Sequence, residues 1–467
     1  MNEKNISHKF DIPVFKVFEY KTKFYLYDTY SNSLLNITQK MYEELLILKK
    51  IGWDKYLHLS ENNKTVEYAD ILKLYHRDML KCNFIKEIKH PETDVIKDLI
   101  NRSINDIVLQ VTRSCNFKCR YCLYATDNDM ERSHENINMD FDIAKEAIDF
   151  LFDHSCDADS INISFYGGEP LLNFELIESI VDYANAVFKT KSLNYSMTIN
   201  ASLLNERIIR YIIANEFNVA ISLDGPEEVQ NSHRRFKVTG SETYRIVISN
   251  VEKIKKIDEE YFDNHVTFLP VIIDDEDFEK VKLFYERMGV SADRVKALQA
   301  DLSGVDYIFN EIQLEQNRSG NQSEQKFEVG SYPNFLLKLK AKNKLPSVWH
   351  HSGQCIPGVH RLFVDVFGNF FPCEKITENK AYSIGDLKNG LDLERILSFL
   401  NIGCLSDDQC KRCWAMRFCE MCISGCLDVE RNMLTADRKL YTCVQKRESA
   451  LINMKHYIDM QLHRGVL

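Results

Sequence analysis

The chain has 467 residues, of which 45% are hydrophobic and 27% are charged, and its formal net charge is −10. This length exceeds one ordinary hydrophobic core and predicts two or three domains of a soluble globular protein. The acidic balance argues against a dedicated nucleic-acid binder, because phosphate contacts need clustered Lys and Arg, but it does not exclude a local basic groove for an acidic peptide.

No targeting segment is visible in the sequence. The first twenty residues carry Lys4, Lys9 and Lys16 among polar residues and contain no apolar signal core. The longest apolar run, 266–273, contains Pro270 and is far shorter than the roughly 20 residues of a membrane span. We therefore expect a cytoplasmic protein without a membrane segment, in which the fourteen cysteines serve metals or redox chemistry rather than disulfides.

Residues 1–100 contain no metal-ligand cluster and are predicted to form a separate module. Aromatic-rich runs and helical periodicity predict strands at 14–20, 23–28 and 33–37 and helices at 38–51 and 66–80. This arrangement resembles the winged-helix-like leader-recognition module of many peptide-modifying enzymes, in which an exposed strand edge can bind a peptide by strand addition. The alternative is an extension that only packs on the rest of the protein.

Three closely spaced cysteines follow the first strand predicted after this module. The apolar run 107–111 precedes Cys115, Cys119 and Cys122, which are spaced Cys-x3-Cys-x2-Cys. A four-iron cluster normally takes one cysteine per iron, so three thiolates would leave one iron open to another ligand. Zinc is the alternative, although zinc ligands usually come as Cys-x2-Cys pairs and the x3 spacing fits poorly.

A second motif accompanies these cysteines. Tyr121 precedes the last cysteine of the loop, and Gly167-Gly168-Glu169-Pro170 follows about fifty residues later. In combination the two motifs resemble the radical S-adenosylmethionine (SAM) superfamily over roughly residues 105–300. In that family the open iron binds the amino and carboxylate groups of SAM, and electron transfer from the cluster releases a 5′-deoxyadenosyl radical.

The middle of the chain alternates strands and helices. Strands are predicted at 107–111, 161–166, 195–200, 219–224, 265–272 and 295–299. Such repeats imply an α/β fold with a parallel sheet and right-handed crossovers, and the resemblance implies a partial (β/α)6 barrel with ligands at the carboxyl ends of its strands. The expected organisation is a peptide-recognition module at 1–100, a radical SAM barrel at 101–310, a solvent-exposed connection at 311–350 and a cysteine-rich domain at 351–467.

The resemblance also implies the SAM contacts. Gly167, Gly168, Glu169 and Pro170 would hold the methionine amine, since glycines allow close backbone approach and a carboxylate accepts from an ammonium. The other implied contacts are Asn200, Ser222 and Asp224 on the ribose, Arg234 (or its neighbour Arg235) on the carboxylate, and Tyr121 near the adenine. Each contact has a structural alternative. The Gly-Gly segment could be an ordinary turn after a strand, and the ribose residues could only cap strand ends. The two arginines could be a solvated surface pair, and Tyr121 could pack the loop.

The C-terminal region carries eight further cysteines that suffice for two four-cysteine clusters: Cys355, Cys373, Cys410, Cys413, Cys419, Cys422, Cys426 and Cys443. They resemble the SPASM extension of radical SAM enzymes, from which this sequence departs by one extra cysteine and three extra residues. The resemblance implies one auxiliary cluster on Cys410, Cys413, Cys419 and Cys443. It implies a second on Cys355, Cys373 and one or both of Cys422 and Cys426, with an open iron if only one of them binds.

The expected cofactors are therefore SAM and three [4Fe-4S] clusters, with zinc as the alternative for the C-terminal cysteines. Cys82, Cys156 and Cys404 are left over and are predicted to be structural. Glu374 directly follows Cys373, where some similar enzymes place a catalytic base beside the auxiliary cluster. A structural glutamate is the alternative at that position.

The function implied by these resemblances is modification of a ribosomally made, cysteine-containing precursor peptide with a leader. The expected product is a thioether between a cysteine sulfur and a peptide carbon, and the expected electron donor is a flavodoxin or ferredoxin. A carbon–carbon cross-link or an epimerisation would use the same SAM site. Further alternatives are an anaerobic sulfatase-maturing enzyme that makes formylglycine, and a zinc-binding protein that performs no chemistry.

Overall fold

The computed structural model of the chain describes residues 12–60, 65–122, 134–274, 276–301, 308–313, 328–329, 332–341, 343–351, 355–376 and 378–463. Of the polar run 311–325 inside the predicted connection, residues 314–325 lie outside this described part. None of the helices that the structure describes is long and apolar enough to span a membrane.

The N-terminal module has the predicted order of strands and helices. It contains β1 (Phe15–Tyr20), β2 (Lys23–Asp28), β3 (Ser33–Ile37), α1 (Gln39–Ser60) and α2 (Val66–His76). The three strands form an antiparallel sheet in the order β1-β2-β3. The Thr38 hydroxyl accepts a hydrogen bond from the Met41 amide at 3.2 Å and caps α1. Gly52, with a φ of 81°, interrupts α1 just beyond its predicted end at Ile51.

The remaining elements follow in chain order. The central region contains β4 (Glu87–Ile88), α3 (Ile96–Arg102), β5 (Asp106–Thr112), β6 (Phe117–Cys119), α4 (Phe141–Asp153), β7 (Ser160–Gly167), α5 (Phe174–Val187), β8 (Ser192–Ile199), α6 (Glu206–Ala214), β9 (Asn218–Ile221), α7 (Glu227–His233), β10 (Arg234–Phe236), α8 (Tyr244–Ile257), α9 (Glu259–His265), β11 (Val266–Phe268), β12 (Val271–Ile272), α10 (Asp277–Arg287) and β13 (Lys296–Asp301). The C-terminal region contains β14 (Ile308–Gln313), β15 (Glu328–Val329), α11 (Tyr332–Lys340), β16 (Val348–Trp349), β17 (Leu362–Val364), β18 (Asn369–Phe371), β19 (Gly385–Asp386), β20 (Gly390–Leu391), α12 (Leu393–Leu400), α13 (Asp407–Lys411), β21 (Leu427–Asp428), β22 (Met433–Leu434) and α14 (Ala436–His463).

The central sheet is parallel through its middle. Among the described residues its order is β11-β9-β8-β7-β5-β17-β18-β19-β20, with parallel pairing from β11 to β17 and antiparallel pairing beyond. In β5 every residue from Ile107 to Thr112 is buried, as expected of a strand covered on both faces. The predicted α/β fold with a central parallel sheet is therefore confirmed.

Two predicted strands end differently in the structure. The strand predicted at 265–272 is divided into β11 and β12, and the break lies at Pro270, which has no N–H to donate to a ladder. β12 pairs with β13 in a separate sheet. The strand predicted at 219–224 ends at Ile221, so Ser222 and Asp224 lie beyond its carboxyl end.

The N-terminal sheet packs against α11, α14 and part of the cysteine-rich region through a shared core that includes Tyr27, Phe335, Phe418 and Met454. Asn32, in the turn between β2 and β3, accepts a hydrogen bond from the Tyr27 hydroxyl at 2.9 Å. Its amide group donates to the carbonyl oxygens of Lys338, Leu339 and Ala341 at 2.7, 3.1 and 2.8 Å. Asn32 thereby satisfies free carbonyls at the end of α11 and joins the N-terminal module to this helix.

We expect Asn32→Ala to destabilise this junction by about 2–4 kcal/mol, because buried carbonyls lose their donor and Ala tolerates a φ of 56° poorly. Urea unfolding followed by tyrosine and tryptophan fluorescence measures the change. Asn36→Ala, on the exposed surface of β3, is the matched control and should stay within about 0.5 kcal/mol of the original protein. Equal effects of the two substitutions would contradict this account of Asn32.

Candidate functional site

The first three cysteines lie directly beyond the carboxyl end of β5. Cys119 ends β6, which pairs antiparallel with β10 so that Cys119 lies opposite Arg234. Burial raises the pKa of Cys119 to about 12, the Arg234 charge lowers it, and the charge of Cys122 raises it. Cys115 is affected by burial and then by the charges of Glu169, Cys119 and Cys122, all of which raise its pKa. The structure therefore brings the three thiols and Glu169 together.

The end of β7 approaches the cysteine loop too closely for any residue but glycine. A Cβ atom on Gly167 would lie 2.2 Å from the carbonyl oxygen of Thr112, and one on Gly168 would lie 2.2 Å from that of Ser114. The Glu169 amide donates to the Ser114 carbonyl at 2.8 Å. These contacts hold the Gly-Gly-Glu-Pro segment against the start of the loop.

Glu169 is a buried carboxylate without a cation in direct contact among the described residues. Its Oε2 accepts from the Asn200 amide at 2.7 Å, and its Oε1 accepts from the Leu171 amide at 3.2 Å. Burial raises its pKa to about 7, which the two amide bonds and the charge of Arg234 only partly offset. A carboxylate desolvated in this way would be stabilised by an ammonium group beside it.

Asn200 and Ser222 lie at the carboxyl ends of β8 and β9. The Asn200 amide group donates to Asn116 Oδ1 at 2.8 Å, and its Oδ1 accepts from the Ser202 hydroxyl at 2.7 Å. Asn116 in turn donates to the Ser202 hydroxyl at 2.8 Å, so these polar side chains are joined to the residue after Cys115. Ser222 is half-buried at the neighbouring strand end.

Asp224, Arg234 and Tyr121 form one buried network. Arg234 donates to both Asp224 oxygens, at 2.9 and 3.0 Å, and the Tyr121 hydroxyl and the Val271 amide also donate to this carboxylate. The Arg234 guanidinium carbon lies 5.3 Å from the centre of the Tyr121 ring, and its Nη1 lies 4.0 Å from the Cys119 sulfur. Arg235, the alternative, lies toward solvent beside Glu242.

The C-terminal cysteines fall into two groups. Burial is the main cause of the raised pKa of Cys413, about 11, and of Cys419, about 12. The charges of Cys410 and Cys443 also contribute to raising both pKa values. The assignment of Cys410, Cys413, Cys419 and Cys443 to one cluster stays a prediction.

The second group contains Cys355, Cys373 and Cys422. Burial raises the pKa of Cys373 to about 12, and the charges of Glu374 and Cys422 raise it further. Burial followed by the charge of Cys422 also raises the pKa of Cys355. Cys426 is fully buried, and the charges of Cys422, Cys443 and Cys410 contribute to its raised pKa.

The two carboxylates near these cysteines have different surroundings. Glu374 accepts a bidentate ion pair from Arg361 at 2.6 and 2.9 Å, and its role as a base stays a prediction. Glu378 was not singled out from the sequence. It accepts from Gln110 at 2.6 Å and from Arg113, and its side chain is 1% exposed. Gln110, a polar residue within the apolar strand β5, is the sequence feature that could have indicated its contact with Glu378.

The comparison with protein families agrees with this geometry. Residues 109–288, from β5 through α10, match the Radical SAM superfamily. The chain contains a radical SAM domain.

The relatives of this enzyme align with different shares of its chain. An uncharacterized protein of Methanocaldococcus jannaschii is 29% identical over 62% of the chain and 92% of its own length. The radical SAM cyclopropyl synthase TigE of Paramaledivibacter caminithermalis is 22% identical over 89% of each chain. A cysteine-type anaerobic sulfatase-maturating enzyme of Clostridium perfringens is 21% identical over 73% of the chain and 94% of its own length.

A solved structure of native anSMEcpe with bound AdoMet and Cp18Cys peptide has the same fold. It superposes with a TM-score of 0.53 at 18% identity, covering 76% of this chain and 99% of that one. The radical SAM enzyme described here is thus related to peptide and sulfatase maturases.

The residues beside the cysteine loop fit the groups that this family uses, a [4Fe-4S] cluster and SAM. The three thiols, the uncompensated Glu169 carboxylate and the Arg234 guanidinium supply ligands for iron, for an ammonium and for a carboxylate. Among the described residues, no three His, Cys, Asp or Glu side chains stand close enough to share a single metal ion, but a four-iron cluster does not require this because each thiolate binds a separate iron.

Sequence reasoning missed two other neighbours of this site. His134 Nε2 lies 3.7 Å from the Cys122 sulfur, and no sequence motif marks this histidine. His233 is 3% exposed beside Tyr121, and its ring nitrogens have no hydrogen-bond partner among the described residues. The position of His233 directly before Arg234 is the sequence feature that could have indicated that it lies at this site.

Replacing Cys115, Cys119 and Cys122 by Ala should abolish 5′-deoxyadenosine formation and remove about four irons per chain, because these thiols are the local cluster ligands. Anaerobic assays with SAM and dithionite, together with iron and sulfide analysis, measure both effects. Cys156→Ala, at an exposed position away from the loop, is the control. Persistent 5′-deoxyadenosine in the triple variant would refute the assignment.

Glu169→Gln should weaken SAM binding about 10- to 100-fold, because it removes a charge-assisted bond to the ammonium of SAM. Equilibrium dialysis with labelled SAM measures the dissociation constant. Glu175→Gln, an exposed substitution on α5, should leave the constant unchanged. Unchanged affinity in Glu169→Gln would exclude this role, provided that the iron content equals that of the unaltered enzyme.

Proposed function

We propose that this enzyme modifies a ribosomally made, cysteine-containing precursor peptide and forms a thioether from a cysteine sulfur to a peptide carbon. The observation that carries the proposal is the attachment of the N-terminal module to the cysteine-rich region. Arg417, between Cys413 and Cys419 in sequence, donates to the carbonyl oxygens of Thr29 and Tyr30 at 2.9 and 3.0 Å. A peptide held by the module would therefore be held at a defined distance from these cysteines.

The N-terminal module offers an edge for such a peptide. β3 pairs with β2 on one side and is an edge strand of the described sheet. Its residues are half-buried or exposed, in contrast to the buried end of β2. A leader segment could add to this edge through main-chain hydrogen bonds, with side-chain pockets giving specificity. Support also comes from TigE, whose similarity extends over 89% of this chain and so into the module.

The chain's own residues would prepare the radical site. When bound, SAM and the four-iron cluster supply a 5′-deoxyadenosyl radical that removes hydrogen from a peptide carbon. Cys115, Cys119 and Cys122 would hold the cluster, and Glu169 would orient the amine of SAM. Asn200 and Ser222 would face the ribose, while the four hydrogen bonds already made by Asp224 favour a role in holding Arg234 toward the cluster.

The auxiliary cysteines would serve the sulfur chemistry. We assign Cys410, Cys413, Cys419 and Cys443 to one four-iron cluster and Cys355, Cys373 and Cys422 to another. If the fully buried Cys426 binds neither cluster, the second cluster would have an open iron for a substrate thiolate. A low-potential flavodoxin or ferredoxin would supply electrons.

A second candidate is a carbon–carbon cross-link, which the name of the cyclopropyl synthase favours. A third is oxidation of a cysteine or serine to formylglycine, which the sulfatase-maturating relatives favour. Those relatives match about three quarters of this chain, so the similarity does not account for the remaining quarter.

Co-expression with a short cysteine-containing reading frame beside the gene tests these products. A thioether lowers the peptide mass by about 2 Da per cross-link and leaves that cysteine unreactive toward iodoacetamide. A carbon–carbon cross-link lowers the mass equally but keeps a reactive thiol. Formylglycine reacts with a hydrazide, and an epimer incorporates deuterium from D₂O. Any of these last three results would replace the thioether proposal.

A further inference from the structure

Lys439 is a buried lysine that contacts a proposed cluster ligand. It lies in the first turn of α14 and is 1% exposed. Its Nζ donates to the Gly403 carbonyl at 3.0 Å, the Ser406 hydroxyl at 2.8 Å and the Cys410 sulfur at 3.1 Å. Three acceptors match the three N–H bonds of an ammonium group, so every donor of Lys439 is used.

No carboxylate pairs with Lys439 among the residues that the structure describes. A buried cation without an opposite charge is strongly destabilised, and a neutral carbonyl and hydroxyl compensate for only part of this loss of hydration. The remaining contact is the Cys410 sulfur. A thiolate at Cys410, as part of an anionic iron–sulfur cluster, would supply the missing negative charge.

The surroundings hold Lys439 in place. The Gly403 amide donates to His350 Nε2 at 3.0 Å, and its carbonyl accepts from Lys439. A Cβ atom at Gly403 would lie 2.5 Å from Ile88 and 2.7 Å from His350, so this peptide is tightly packed. Ser406 also contacts the Cys410 sulfur, at 3.4 Å. The ammonium group therefore has little freedom to move away from Cys410.

We propose that Lys439 is a positioning residue that raises the reduction potential of the auxiliary cluster ligated by Cys410. A nearby positive charge stabilises the more negative reduced state, and a hydrogen bond to a ligand sulfur acts in the same direction. The inference rests on the proposed function, since it requires an iron–sulfur cluster on Cys410, Cys413, Cys419 and Cys443. It assigns Lys439 to the electron-accepting end of the enzyme.

The test compares the reconstituted enzyme with Lys439→Met and Lys439→Gln, which remove the charge at similar length. Iron and sulfide analysis gives the cluster content, and redox titration followed by electron paramagnetic resonance gives each midpoint potential. We expect about 12 irons per chain in all three proteins, with one auxiliary potential more negative in both variants. Lys455→Met removes a charge from α14 about 24 Å along the helix and should shift no potential.

The outcomes separate this inference from the proposed function. About 12 irons with unchanged potentials would overturn the role of Lys439 and leave the auxiliary clusters in place. About four irons in the unaltered enzyme would overturn the auxiliary clusters, and the inference with them. Loss of about four irons in both Lys439 variants would show that Lys439 retains the cluster, which would also overturn an effect on potential.

Discussion

The buried ion pair between Asp224 and Arg234 is the contact on which the radical site depends. Asp224 follows β9, and Arg234 begins β10, which pairs with β6 inside the cysteine loop. The pair therefore joins the loop to the central sheet in an interior where both charges are shielded from water. Loss of either partner would leave an uncompensated charge at a cost of about 3–5 kcal/mol. The position of Cys119 relative to Glu169 follows from this connection.

The central sheet separates the radical site from the second cysteine group. β17 pairs with β5 so that Leu362 lies opposite Ile107, and β18 brings the chain back toward Cys373. The cysteine loop starts at the other end of β5, beyond Thr112. At about 3.3 Å per residue, this part of β5 spans about 16 Å. The two proposed cluster positions thus lie at opposite ends of one buried strand.

Much of this site follows from local sequence, and the rest depends on distant pairing. The spacing of Cys115, Cys119 and Cys122 and the Gly-Gly-Glu-Pro segment are local signals, and the strand–helix alternation places them at the same sheet edge. The partner of Arg234 is ten residues away beyond a turn and α7, so periodicity does not reveal it. Glu374 meets Arg361 only because β17 and β18 pair as a hairpin. Such contacts depend on strand register and burial, and the spacing of residues along the sequence does not determine either of them.

Buried cations contact a cysteine at the radical site and another in the C-terminal region. Arg234 lies beside Cys119, Lys439 donates to Cys410, and Arg417 lies between two proposed ligands. The whole chain carries a net charge of −10, so it would not otherwise favour anionic clusters in its interior. Arg417 uses its guanidinium for backbone carbonyls of Thr29 and Tyr30 in the N-terminal module, whereas Lys439 uses one N–H for a thiol. The Arg417 contacts therefore fix the cysteine-rich region against the N-terminal module. The Lys439 contact places a positive charge beside Cys410 and so favours negative charge on a cluster there.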